Sequence, residues 1–132
     1  MTLKSDMKII IIDDMTTMRK IIKNMLTQIG FTNISEADDG HTAWPLIEAA
    51  QKDGAPFEFI ISDWNMPRMS GLDLLKKVRS TPGIEKSPFL MITAESEQGN
   101  VVIAVKAGVS NFIVKPFSVQ VLKEKIDKIF NK

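Results

Sequence analysis

The sequence contains no cysteine, which excludes disulfides and thiolate metal sites together and agrees with a reducing compartment such as the cytoplasm. It has one histidine, His41, and with no second imidazole to complete a metal site this residue is read as a surface turn position. No apolar run approaches the roughly twenty residues that span a bilayer, and the opening Met1-Thr2-Leu3-Lys4-Ser5-Asp6 is too polar for a secretory leader. Charge of one sign is also missing. The 17 Lys and Arg nearly balance the 16 Asp and Glu, leaving no basic face for nucleic acid. The expectation is a monomeric cytoplasmic protein that engages neither nucleic acid nor membrane.

What is present is apolar material for a single core. A chain of 132 residues with 44% hydrophobic content forms one domain by length, expected over residues 7–132 behind a flexible segment, 1–6. Ile9-Ile10-Ile11-Ile12 and Phe59-Ile60-Ile61 are consecutive rather than alternating, the pattern of strands covered on both faces in a parallel sheet. Strands are predicted over 7–12, 31–36, 57–62, 89–93 and 111–114.

Helical stripes fall between them. Met18, Ile21, Ile22, Met25, Leu26 and Ile29 follow helical spacing from a Thr16 or Thr17 cap to a stop at Gly30. Ala43, Leu46, Ile47 and Ala50 mark a second helix, where Pro45 is harmless if Thr42 is the N-cap but removes a hydrogen bond if the helix begins at Gly40. Ser70 with Asp73 opens a third, carrying Leu72, Leu75 and Val78. Residues 97–106 form a fourth, weakened by four β-branched residues, and Ser118 starts a fifth bearing Val119, Leu122, Ile126, Ile129 and Phe130. Such βα repetition implies an α/β fold, a doubly wound parallel sheet with helices on both faces.

Both isoleucine-rich runs end in acid, one in Asp13-Asp14 and the other in Asp63, with Pro67 blocking continuation. Side by side, these strand tips gather three negative charges, an unfavourable cluster without a cation, and hard oxygen donors with room for water suit Mg²⁺. Thr93 and Lys115 end the fourth and fifth strands, and ligand crevices of doubly wound sheets lie at the carboxyl ends of strands. A strand-end Asp taken singly is more often a cap or turn residue. Five suitable residues at strand ends support metal-assisted phosphoryl transfer instead, with Asp63 as nucleophile and Lys115 neutralising charge. A new dianion there would give Thr93 and Lys115 acceptors to bind, which makes a switch.

Ile11-Ile12-Asp13-Asp14, Asp63-Trp64-Asn65-Met66-Pro67-Arg68-Met69-Ser70-Gly71, Thr93-Ala94-Glu95 and Val114-Lys115-Pro116-Phe117 together resemble the receiver domain of two-component response regulators, closely its single-domain chemotaxis members, across residues 7 to 130. The resemblance implies a flavodoxin-like three-layer sandwich of five strands ordered 2-1-3-4-5 and five helices. It implies that Asp63 accepts phosphate from a histidine kinase. Mg²⁺ would be held by Asp14, Asp63 and the Asn65 backbone carbonyl, with Asp13 acting through water. Thr93 and Lys115 would engage the phosphoryl group, the Lys115-Pro116 bond being cis. Asn65 and Glu95 would tune its lifetime, and Phe112 would occupy a switch position usually held by tyrosine. Phenylalanine loses the hydroxyl, so burial of this ring would be apolar only. Met15 is a second departure. Neither touches the phosphorylation chemistry.

On this reading the chain is a signalling phospho-acceptor with self-catalysed phosphotransfer and autodephosphorylation rather than an enzyme. Its output would leave by protein contact through the fourth helix, the Phe112 strand and the last helix, to a flagellar motor switch protein or another output protein, with a phosphatase possible. Alternatives are a phosphorelay intermediate, a phosphate sink, or a Mg²⁺-dependent phosphohydrolase. The last typically carries a second Asp two residues after the nucleophile, where this chain has Asn65. A flavin carrier is disfavoured by the acidic mouth.

Overall fold

In the computed structural model, which describes residues 5–94 and 99–130, strands and helices alternate along the chain. The order is β1 (Ile9–Ile12), α1 (Thr16–Ile29), β2 (Ile34–Ala37), α2 (Gly40–Lys52), β3 (Phe59–Asp63), α3 (Gly71–Arg79), β4 (Phe89–Ala94), α4 (Gly99–Lys106), β5 (Asn111–Lys115) and α5 (Val119–Phe130). All pairings are parallel and the strand order is β2-β1-β3-β4-β5, as expected. Among the described residues, no helix is long and apolar enough to cross a membrane.

The isoleucine run explains the layering. Successive strand residues face opposite sides, so Ile9 and Ile11 join α1 and α5 in one apolar cluster while Ile10 and Ile12 join α2 and α3 in the other. All four are fully buried, and each contributes roughly 1.5–3 kcal/mol relative to exposure. Charged side chains are therefore excluded from the bodies of β1, β3 and β4 and collect where those strands end.

Several boundaries differ from the sequence reading. β1 and β3 start two residues late, and β3 extends to include Asp63. Neither Thr16 nor Thr17 caps α1. The N-cap is Met15, without a side-chain cap, and Thr16 is already helical; the orphan amide of Met15 is taken instead by Asp13 Oδ1 at 2.9 Å. α2 is capped by Asp39 rather than Thr42, in a reciprocal capping box between the two. Its first residue is Gly40, so Pro45 lies inside the helix, and the hydrogen bond it would have donated to the His41 carbonyl is lost. Ile21 and Leu46, read as part of apolar stripes, are exposed.

α3 begins close beneath the tip of β3. The Gly71 amide donates to the Trp64 carbonyl at 3.0 Å. A Cβ at Gly71 would overlap the Asp63 carbonyl oxygen and stand 2.8 Å from Met91 Sδ. Only glycine lets the helix start this near the strand end. Gly71→Ala is expected to lower the urea unfolding free energy by about 3 kcal/mol through overpacking against backbone. A loss below about 1 kcal/mol would mean that the helix and strand end part easily.

Candidate functional site

The strand register sets the side chains in a staircase. Ile12 pairs with Ser62, placing the next residues, Asp13 and Asp63, level with each other. Asp63 pairs with Ile92, so Thr93 stands one step further along β4, and Ala94 pairs with Lys115 on β5. The result is an acidic mouth. Asp13, Asp14 and Asp63 each offer a carboxylate oxygen, all within 4.8 Å of one another. Lys115 Nζ lies 3.1 Å from Asp63 Oδ1 and 3.9 Å from Asp13 Oδ2.

Burial makes this cluster costly. Asp13 is 0% exposed, Thr93 2% and Asp63 5%, while Asp14 faces solvent. Burial pushes the Asp13 carboxyl up to about 6, aided by Asp63 and Asp14 and opposed by the Met15 amide and Lys115. Burial likewise raises Asp63, against the pull of Lys115 and the Trp64 amide. Two buried oxygens, Asp13 Oδ2 and Thr93 Oγ1, have no hydrogen-bond partner among the described residues. An unpaired carboxylate oxygen within a three-carboxylate, all-oxygen donor set fits a hard divalent cation, Mg²⁺ above all. An unpaired hydroxyl beside Asp63 fits an incoming acceptor oxygen.

The remaining predicted residues are more dispersed. Asn65 sits in the exposed loop after Asp63. Glu95 lies outside the described residues. The Lys115-Pro116 bond is cis. Phe112 is half-buried on β5, packed on the α2/α3-side cluster, with Lys125 Nζ 4.8 Å from its ring centroid. Trp64 is half-buried and His41 exposed.

Other contributions were not foreseen. Arg19 Nη1 donates to the Asp13 carbonyl at 2.6 Å, joining α1 to the end of β1. Arg68 pairs with Asp39. The signal for Asp39 was available, because an Asp three residues before Thr42 has capping-box spacing; Thr42, itself a cap residue type, competed with it.

A mouth of this composition at the carboxyl ends of parallel strands belongs to a recognisable class. The profile of the response regulator receiver domain matches residues 9–127, and the chain belongs to that family, whose members signal through phosphorylation in two-component systems. Within it, the chain is 51% identical over 126 residues to the chemotaxis protein CheY of Pseudomonas aeruginosa, covering 96% of this chain and 98% of the relative. It is 48% identical over 123 residues to CheY1 of Helicobacter pylori, covering 93% and 96%. The high-resolution structure of the chemotaxis response regulator CheY4 of Vibrio cholerae superposes with a TM-score of 0.80 at 29% identity, covering 95% of this chain and 99% of that one.

The pKa of Asp13 fixes a pH dependence. Its native value of about 6 lies above the ordinary 3.8, so between those limits the native state binds more protons than the unfolded chain. This contribution to stability is complete below the lower value and is lost as pH rises through the upper one. In chelator, the thermal midpoint is therefore expected to be higher at about pH 5.5 than at about pH 7.5, with the difference much reduced in Asp13→Asn. Saturating Mg²⁺ should reverse the order, because protons compete with the cation for the same oxygens. Calorimetry across pH, with and without Mg²⁺, checks both signs.

Proposed function

We propose that residues 7–132 form a Mg²⁺-dependent phospho-acceptor domain in which Asp63 takes a phosphoryl group from the phosphohistidine of a kinase. The observation that carries this reading is the 3.1 Å contact between Lys115 Nζ and Asp63 Oδ1, made inside a three-carboxylate cluster and beside an unpaired threonine hydroxyl. Asp14, Asp63 and the Asn65 carbonyl would hold the metal, with Asp13 acting through water. When bound, magnesium supplies positive charge against the transferring phosphoryl oxygens.

An Asp63 carboxylate oxygen attacks phosphorus and a P–O bond forms. The P–N bond breaks, and the imidazole leaves and takes a proton from solvent. Lys115 holds its ammonium where charge accumulates and passes from the carboxylate to a phosphoryl oxygen. Thr93 then finds the acceptor its hydroxyl lacks. Hydrolysis reverses the gain: water attacks phosphorus, the acyl phosphate P–O bond breaks, inorganic phosphate leaves and Asp63 is regenerated, at a rate that Asn65 and Glu95 would tune.

Thr93 moving toward the phosphoryl group vacates space toward β5, and Phe112 fills it with an apolar ring alone. The output face is then α4, β5 and α5. On α4, Val102, Ile103 and Val105 are exposed although large and apolar, more than an isolated surface side chain would require. On this reading the recipient is a flagellar motor switch protein, the donor a histidine kinase and a phosphatase a further partner, and the likeness to proteins named for chemotaxis supports it.

Incubation with Mg²⁺ and a small phosphoramidate or acyl phosphate should label wild type stoichiometrically, with an acid-stable, hydroxylamine-labile bond. Asp63→Asn should take up none and Lys115→Ala at least about tenfold less. Equal labelling of Asp63→Asn sinks the proposal.

A further inference from the structure

The loop after Asp63 meets the start of α2 at two points. Arg68 Nη2 and Nε lie 2.8 and 2.9 Å from Asp39 Oδ2, while Asp39 Oδ1 accepts from the Thr42 amide at 2.9 Å. Both oxygens of a carboxylate whose side chain is only 3% exposed are thereby occupied. Burial raises the Asp39 pKa, but the Thr42 amide and Arg68 outweigh it and hold the group below the ordinary range. The second point is backbone. A Cβ on Gly40 would stand 2.9 Å from the Met69 carbonyl and 2.8 Å from its Cγ, so α2 abuts the residue next to Arg68.

Arg68 is also where the loop backbone is forced. Its φ of 66° is the one positive value among the described non-glycine residues. The Met69 amide donates across it to the Pro67 carbonyl at 2.7 Å, closing a three-residue turn whose central φ has the sign of the rarer, strained γ-turn. A long side chain is held in the left-handed region only where surrounding contacts over-determine it. Here the guanidinium of the strained residue makes that contact.

We propose that Arg68 is a positioning residue for the phosphorylation site. Through Asp39 it fastens the β3–α3 loop to the N-terminus of α2, and so fixes the short stretch that presents the Asn65 carbonyl to magnesium. The inference rests on the metal assignment made above. An ion pair between two exposed side chains would carry little weight. This one differs because its acid is buried, caps a helix and is fully hydrogen-bonded, so the loop cannot shift without leaving that carboxylate uncompensated.

The test uses Arg68→Gly, which removes the guanidinium and relieves the backbone, Arg68→Asn, which tolerates the same φ, and Asp39→Asn, which keeps a capping side chain but removes the charge. Mg²⁺ affinity is read from Trp64 fluorescence in a Trp44→Phe background, since the chain has two tryptophans. Each single variant should weaken Mg²⁺ binding about fivefold or more, and Arg68→Gly with Asp39→Asn should be no worse than the weaker of the two, because they delete one shared interaction. A purely structural pair would move only the urea midpoint. Affinities within about twofold of wild type, or losses that add in the double variant, overturn the inference while leaving the phospho-acceptor reading intact if wild type still binds Mg²⁺ and labels. A wild type that does neither removes both.

Discussion

The burial of carboxylates away from water, aided by their mutual repulsion, governs this structure. Asp13 and Asp63 end neighbouring parallel strands whose bodies are packed with isoleucine and phenylalanine on both faces, so the chain has no means of turning these acids outward without unpairing the sheet. The Lys115 ammonium, 3.1 Å from one and 3.9 Å from the other, offsets part of the cost and leaves the Asp13 carboxyl raised to about 6. On the proposed reading, the remaining electrostatic deficit would draw a cation to the mouth, and then a phosphoryl group. Stability is lower where binding will occur, because the same oxygens cannot be satisfied by the fold and still be available to a ligand.

Much of this was legible in the sequence because a two-faced parallel strand has an unambiguous signature. Four consecutive isoleucines that stop at two aspartates leave few alternatives, and the same pattern in β3 placed Asp63 at a tip. Thr93 and Lys115 followed from strand ends alone. What escaped was local chemistry with more than one solution. Thr16, Thr17 and Thr42 all have the residue type of a cap, yet Met15 and Asp39 hold the cap positions, because the orphan amides found a nearer carboxylate. The exposure of Ile21 and Leu46 was likewise hidden, since helical spacing marks a stripe without saying how wide a stripe the sheet will cover. The Arg68–Asp39 pair joins residues 29 apart, and no periodicity connects them.

Glycine and arginine thus share the work of shaping the loop that follows Asp63. At Gly71 the constraint is steric: α3 starts so close to the Asp63 carbonyl that no side chain fits. At Arg68 it is electrostatic, a strained residue whose side chain is tied to the cap of another helix. The segment carrying Asn65 is thus held at Trp64, whose carbonyl accepts from the Gly71 amide, and at Arg68, and a carbonyl that is to serve as a ligand needs such restraint. A backbone oxygen has no rotamer of its own to adjust, so its position is as good as that of the peptide that carries it.

The route from site to surface follows from unequal anchoring of the helices. α3 buries Leu74, Leu75 and Val78, and α5 buries Leu122, Ile126 and Ile129, whereas α4 buries Ala104 alone. A helix that fully buries one small side chain and carries valines and an isoleucine toward solvent has little burial to lose on moving. It is the next helix after β4, the strand whose penultimate residue is Thr93, with no hydrogen-bond partner for its hydroxyl among the described residues, and it precedes the strand that carries Phe112. A phosphoryl group able to recruit that hydroxyl therefore acts on the part of the fold with the smallest resistance, and needs only a modest differential interaction to redistribute its conformers. Phe112 limits how the change is read. With no hydroxyl to bond a partner and Lys125 over its face, its burial or exposure would alter apolar surface and the freedom of one ammonium, the two quantities that a partner docking at this face would sense.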